Sequence, residues 1–95
     1  MAYGIENGRK TVTTAGTAEA LESNDHIVAY VVITAETNNT GVITVGDSSV
    51  VAAVATRTGM PLSAGDSLTL HNIDLNNIFI DTTVNGDGVT YLYAS

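Results

Sequence analysis

The chain has 95 residues, enough for one domain with one core. Ten acidic against three basic side chains leave a net charge of −7, which argues against nucleic acid as a partner, because affinity for phosphate comes from Lys and Arg. Cysteine is absent, which excludes disulfides and thiolate metal sites, and no apolar run approaches the roughly 20 residues of a membrane span.

Residues 1–10 contain Gly4, Asn7-Gly8 and two of the three bases, Arg9 and Lys10. They read as a flexible N-terminal arm, which either frays or reaches a neighbouring subunit or an acidic surface, ahead of one β domain over 11–95. The start, Met1 to Gly8, has neither the charged nor the apolar region of a signal peptide, so the chain reads as a complete cytoplasmic product. Lys10 to Thr14 is a short β-prone run, and Thr17 to Leu21 is expected to be a loop that tucks Leu21 into the core.

Ile27 to Ala35 is the most apolar strand. Strict alternation puts Ile27, Ala29, Val31 and Ile33 on one face and Val28, Tyr30 and Val32 on the other. Only one of these meets the core of a two-layer fold, so the spare face is expected to meet a loop, the arm or another chain. Asn39-Thr40-Gly41 is turn chemistry leading into Val42-Ile43-Thr44-Val45, and Gly46-Asp47 closes that strand. Ser48 to Thr56 is again apolar on both parities and is expected to be a strand. Arg57-Thr58-Gly59 is a loop tip, Pro61 marks a strand edge or turn, and Ala64-Gly65-Asp66 is a tight turn. Ser67 to His71 alternates, with Leu68 and Leu70 inside. Ile73 to Asn77 is a polar turn, and Ile78 to Asp81 is a strand. Asn85-Gly86-Asp87-Gly88 carries the strongest hairpin signal, delivering a last strand with Val89, Tyr91 and Tyr93 on one face. Strands at this spacing predict an all-β, compact antiparallel β-sandwich or jelly-roll-like barrel of about 7–8 short strands.

No catalytic constellation is legible. His26 and His71 have no second ligand at metal spacing, and there is no Gly-x-Ser-x-Gly elbow. Asn85 to Gly88 resembles part of a calcium loop, but it runs straight into Val89-Thr90-Tyr91 without the closing Glu, as a hairpin turn does. Tyr3, Tyr30, Tyr91 and Tyr93 could form a sugar-stacking platform; the plainer reading gives one face of the last strand to the core and the other to a contact surface. The chain is therefore read as non-enzymatic, without metal or cofactor. Its interface residues are expected to be Val28, Tyr30, Val32, Val50, Ala52 and Val54, together with Arg9 and Lys10.

Five segments, taken in order and spacing, point to a family. They are Gly16 to Leu21 before an apolar strand, Asn39 to Asp47, Leu62 to Ser67, Asp74 to Ile80, and Gly86 to Tyr93. Across Thr17 to Tyr93 the chain resembles short virion proteins of tailed phages. The resemblance implies a particle-surface or head–neck component, first of all a capsid decoration (cement) protein, often trimeric, that binds itself and the major capsid protein. It implies a virion location after synthesis in the host cytoplasm. A head–tail junction component, or a glycan-binding module, are the alternatives.

Overall fold

The computed structural model describes residues 4–94. Eight strands form: β1 (Ile5–Thr11), β2 (Glu19–Ala20), β3 (Ile27–Ala35), β4 (Ile43–Gly46), β5 (Met60–Leu62), β6 (Ser67–Asp74), β7 (Phe79–Thr82) and β8 (Gly88–Ala94). They make two antiparallel four-stranded sheets, ordered β1-β8-β3-β6 and β2-β7-β4-β5. The pairing is nested: β1 with β8, β2 with β7, β3 with β6 and β4 with β5. Between the sheets lies one apolar core, in which Val31, Ile33, Ile43, Ile78, Ile80 and Val89 are almost wholly buried. The fold is all-β and sandwich-like, as its turn-punctuated apolar runs predict.

Four expectations need correction. Residues 5–10, assigned to a flexible arm, belong to a strand, Ile5–Thr11, paired with β8 along its whole length; Met1, Ala2 and Tyr3 lie outside the described residues. Gly8 makes this pairing possible, since a Cβ there would meet the ring of Tyr91 at 2.5 Å. A strand glycine here admits a neighbouring aromatic ring over the backbone.

The second correction concerns Ser48 to Thr56, which is not a strand. It is a loop with a 3-10 turn at Val54–Thr56. Within one parity Val50 and Ala52 are buried, at 4% and 0% exposure, while Val54 stands out at 80%, so the run does not alternate as a strand does. Val51 and Thr58 close the loop through two bonds of 2.9 and 3.0 Å, and Arg57 Nε donates to the Ala52 carbonyl at 2.9 Å.

Third, Asn85 to Gly88 is a turn, with Gly86 at φ 88°, but not a hairpin, because β7 and β8 belong to different sheets. Tertiary bonds aim it: Asn85 Oδ1 accepts from Ala15 N–H at 2.7 Å, and Gly86 N–H donates to the Val12 carbonyl at 2.8 Å.

Finally, the alternation of β3 breaks. Val28 is buried beside Val31, Ile33 and Ala35, whereas Ala29 is exposed. Opposite this break, Asn72 takes φ 50°, a conformation that Asn tolerates better than most residues. Past it, Val28 pairs with Ile73, so both strands keep an apolar residue against the core.

The acidic residues have structural work that composition alone does not reveal. Six of the ten accept backbone N–H groups: Glu19 from Thr13, Asp47 from Ser49, Asp66 from Ser63, Asp74 from His26 and Asn76, Asp81 from Gly16 and Ala52, and Asp87 from Thr40 and Gly41. Each carboxyl satisfies loop donors that the two short sheets cannot pair.

Three of them titrate low for this reason. Glu19 is held down by Lys10 and then the Thr13 N–H, Asp47 by the hydroxyl and N–H of Ser49, and Asp74 by the N–H groups of His26 and Asn76. Conversely, burial and then the Glu22 charge push the Tyr91 phenol up to about 12. Depressed carboxylates stabilise the fold above their unfolded pKa of about 4 and lose that contribution as pH falls through the folded values. The raised phenol stabilises it fully below about 10 and loses that contribution as pH rises towards 12. A urea midpoint followed across pH should therefore be flat near neutrality and fall on both sides. Tyr91→Phe should weaken the alkaline fall, and Asp74→Asn the acid one; unchanged slopes in both variants would refute the assignment.

Candidate functional site

The surface that differs from the rest of the molecule is the outer face of β1-β8-β3-β6. Its members follow from register: with Val89, Tyr91 and Tyr93 of β8 and Val31, Ile33 and Ala35 of β3 turned inward, the alternate residues turn out. They fall into three cross-strand rows. One is Ile5, Ala94, Tyr30 and His71; the next is Asn7, Leu92, Val32 and Thr69; the last is Arg9, Thr90, Thr34 and Ser67. Two contacts run along the rows, from β3 to β6. Tyr30 and His71 have ring centroids 6.5 Å apart, and the hydroxyls of Thr34 and Ser67 are 3.0 Å apart.

This face is apolar at its centre and free of acid. Ile5 and Leu92 are exposed at 65% and 39%, Val32 and Tyr30 are half-buried, and Thr, Ser and Asn surround them. None of the twelve positions carries a carboxylate, in a chain with ten. The nearest, Glu36, is bound by Arg9 at the margin, with a second contact to Nη2 at 3.2 Å. A depression of about 590 Å³ runs across the face, between Arg9, Val32, Thr34 and Leu92. Such a surface suits packing against another surface, since like charges would otherwise oppose approach.

Of the residues expected to form an interface, Tyr30 and Val32 lie on this face and Arg9 on its margin. Val28, Val50 and Ala52 are buried within the chain and offer nothing to a partner. Val54 is exposed elsewhere, at the tip of the 47–59 loop. Lys10 turns to the opposite side of β1 and pairs with Glu19 at 2.9 Å. Sequence reasoning left Ile5, Asn7, Thr34, Ser67, Thr69 and His71 out of the interface. Ile5 and Asn7 became visible only once β1 joined the sheet, and Thr69 only once β6 was placed beside β3.

The other candidate groups are engaged within the fold. Tyr91 and Tyr93 are buried, 7% and 6% exposed, and stack on each other at 6.0 Å, so they cannot form a sugar platform. Tyr91 OH donates towards the Leu21 carbonyl at 3.4 Å and Glu22 Oε2 at 3.3 Å. His26 Nδ1 lies 3.0 Å from Glu22 Oε1, and its ring meets the Tyr93 ring edge-on at 4.8 Å. Asp87, in the stretch that only resembles part of a calcium loop, spends both oxygens on the N–H groups of Thr40 and Gly41. Comparison with protein-family models, with curated proteins and with solved structures finds no match to this chain.

Proposed function

We propose that the chain is a non-enzymatic structural component of a phage particle: a capsid decoration protein that associates with itself, as a homotrimer, and docks on the major capsid protein. The observation that carries self-association is the acid-free, apolar-centred outer face of β1-β8-β3-β6 on an otherwise acidic molecule. The particle assignment rests on the resemblance of Thr17 to Tyr93 to short phage virion proteins. A junction component of the head and tail is the second reading, and it would assemble into larger rings.

The fold is part of the same proposal. Four nested antiparallel pairs, β1 with β8 through β4 with β5, are what results when one long two-stranded ribbon is rolled into two sheets. That is the jelly roll, an architecture used by viral capsid domains among others.

Val32→Asp places a charge at the centre of the outer face without touching the core. Light scattering after size exclusion is expected to show a wild-type assembly built of trimers and a variant that has lost the three-fold contact, with unchanged circular dichroism. Leu92→Asp should do the same from the neighbouring strand. If both variants keep the wild-type mass, this face is not the contact.

A further inference from the structure

Among the described residues the two sheets have four edges, and three carry the usual protection against pairing with another chain. β1 holds Arg9 and Lys10, β2 has two residues, and β5 has three with Pro61 at its centre. β6 has none of these devices. Its eight residues, Ser67-Leu68-Thr69-Leu70-His71-Asn72-Ile73-Asp74, include no Lys, Arg, Pro or Gly, and their one acid comes last. An edge of this length left unguarded is a template for a further strand.

Antiparallel alternation identifies which backbone groups are unpaired. Ala35 N–H donates to the Asp66 carbonyl at 2.9 Å, so the same ladder continues through Leu68 opposite Ile33 and Leu70 opposite Val31. Ser67, Thr69 and His71 therefore turn their N–H and C=O groups away from β3, towards the open edge.

We infer that β6 pairs with β6 of a second copy, antiparallel, about a two-fold axis at Thr69; such a contact cannot lie within a trimer, so it joins copies of two trimers into a hexamer. In that register Thr69 faces Thr69 of the other copy, and Ser67 faces His71. All three pairs are then of the hydrogen-bonded kind and exchange about six backbone bonds. Leu68 faces Leu70 in the intervening pairs, where side chains approach most closely. Both leucines are only partly buried, at the mouth of an apolar crevice of about 340 Å³ that also meets Met60 and Ile73. The second copy's leucines cover that mouth. No acid lies between Ser67 and Ile73, so the paired run itself carries no like charge despite the net −7; Asp47 stands on the lining of the crevice beside it. Asn72, at φ 50°, ends the regular run and limits pairing to Ser67–His71.

The area supports the same arrangement. Four strands about 4.8 Å apart, each about seven residues long at 3.3 Å per residue, present roughly 440 Å² of outer face. A stable interface takes about 800 Å² from each partner. Pairing through β6 makes one continuous sheet and doubles the acid-free face to that size.

This inference rests on the self-association proposed above, not on which particle the protein serves. Thr69→Pro removes only an outward N–H, which edge strands tolerate, and leaves the β3 ladder intact. The mass in solution should fall by half, with circular dichroism unchanged. Thr69→Cys gives an independent reading in a chain without cysteine. Facing Cα atoms of a hydrogen-bonded pair stand about 5.5 Å apart, within disulfide reach, so oxidation should give a covalent dimer; Ser67→Cys should not. A Thr69→Pro variant of wild-type mass, a wild-type monomer at high concentration, or equal cross-linking of both cysteine variants would overturn the inference. Should Val32→Asp dissociate the assembly while Thr69→Pro leaves it whole, the outer face stands and the edge pairing falls.

Discussion

Replacing Asp81 by alanine is expected to lower the free energy of unfolding by about 3 kcal/mol, the sum of two strong backbone bonds less the relief from desolvating the carboxyl. Asp81 is fully buried on the outer side of β7. One oxygen accepts from Gly16 N–H and the other from Ala52 N–H, each at 2.9 Å. These bonds pin two loops onto the sheet. Ala52 is itself 0% exposed, so its N–H would be left buried without an acceptor. A loss of this size is a large share of the roughly 5–15 kcal/mol that holds a small domain together. It would lower Tm by on the order of 12–20 °C in a chain of this length. Asp81→Asn keeps one acceptor and should lose about half as much. Urea unfolding measures both, and trypsin adds a local reading, because release of the 47–59 loop exposes Arg57. A loss below about 1 kcal/mol, with Arg57 still protected, would show that the loops are held by other contacts.

Gly88→Ala should be at least as damaging, for a steric reason. A Cβ at Gly88 would collide with the Lys10 carbonyl and lie 2.8 Å from Thr11 Cα, so backbone rather than a movable side chain stands in the way. The Asn39 side chain closes the other escape: its amide nitrogen donates to the Gly88 carbonyl at 2.9 Å, and its oxygen accepts from Gly88 N–H at 3.0 Å. Overpacking that backbone cannot relieve costs about 3 kcal/mol or more, through the detachment of β1 from β8. Hydrogen exchange should show the amides of Ile5–Thr11 losing protection first, while β3 and β6 keep theirs. A variant with wild-type exchange in β1 would mean that the strands slide apart without loss.

The two substitutions share a cause with the acidity of the chain. Carboxyl groups at Asp47, Asp66, Asp74, Asp81 and Asp87 are spent on loop N–H groups, and Asn39 does the same service for Gly88. A charge that reads as a property of the surface is in large part the means by which long connections are closed. Its absence from the outer face of β1-β8-β3-β6 then becomes informative, because that sheet is built of regular ladder and needs no such acceptors.

Much of the architecture was legible along the chain, because it depends on local chemistry. Alternation in Ser67 to His71 and in Val89 to Tyr93 gives the correct inward faces, Pro61 falls on an edge strand, and Ala64-Gly65-Asp66 is a tight turn. Leu21 enters the core as expected, although Glu19–Ala20 just before it form the short strand β2 rather than a loop. These features need only a period of two and the conformational preferences of turn residues. What depends on distant partners was decided by tertiary structure. An apolar run such as Val50 to Val54 does not by itself report extension: Val50 and Ala52 are buried, Val54 is exposed, and Asp81 holds the run through the Ala52 N–H. Asn85-Gly86 bends the chain, but Val12 and Ala15, some 70 residues away, direct it to the other sheet. Ile5 to Thr11 has no apolar pattern of its own, yet β8 supplies a ladder along its whole length. Backbone donors and acceptors must be satisfied wherever the chain passes, and only the folded neighbours determine by whom.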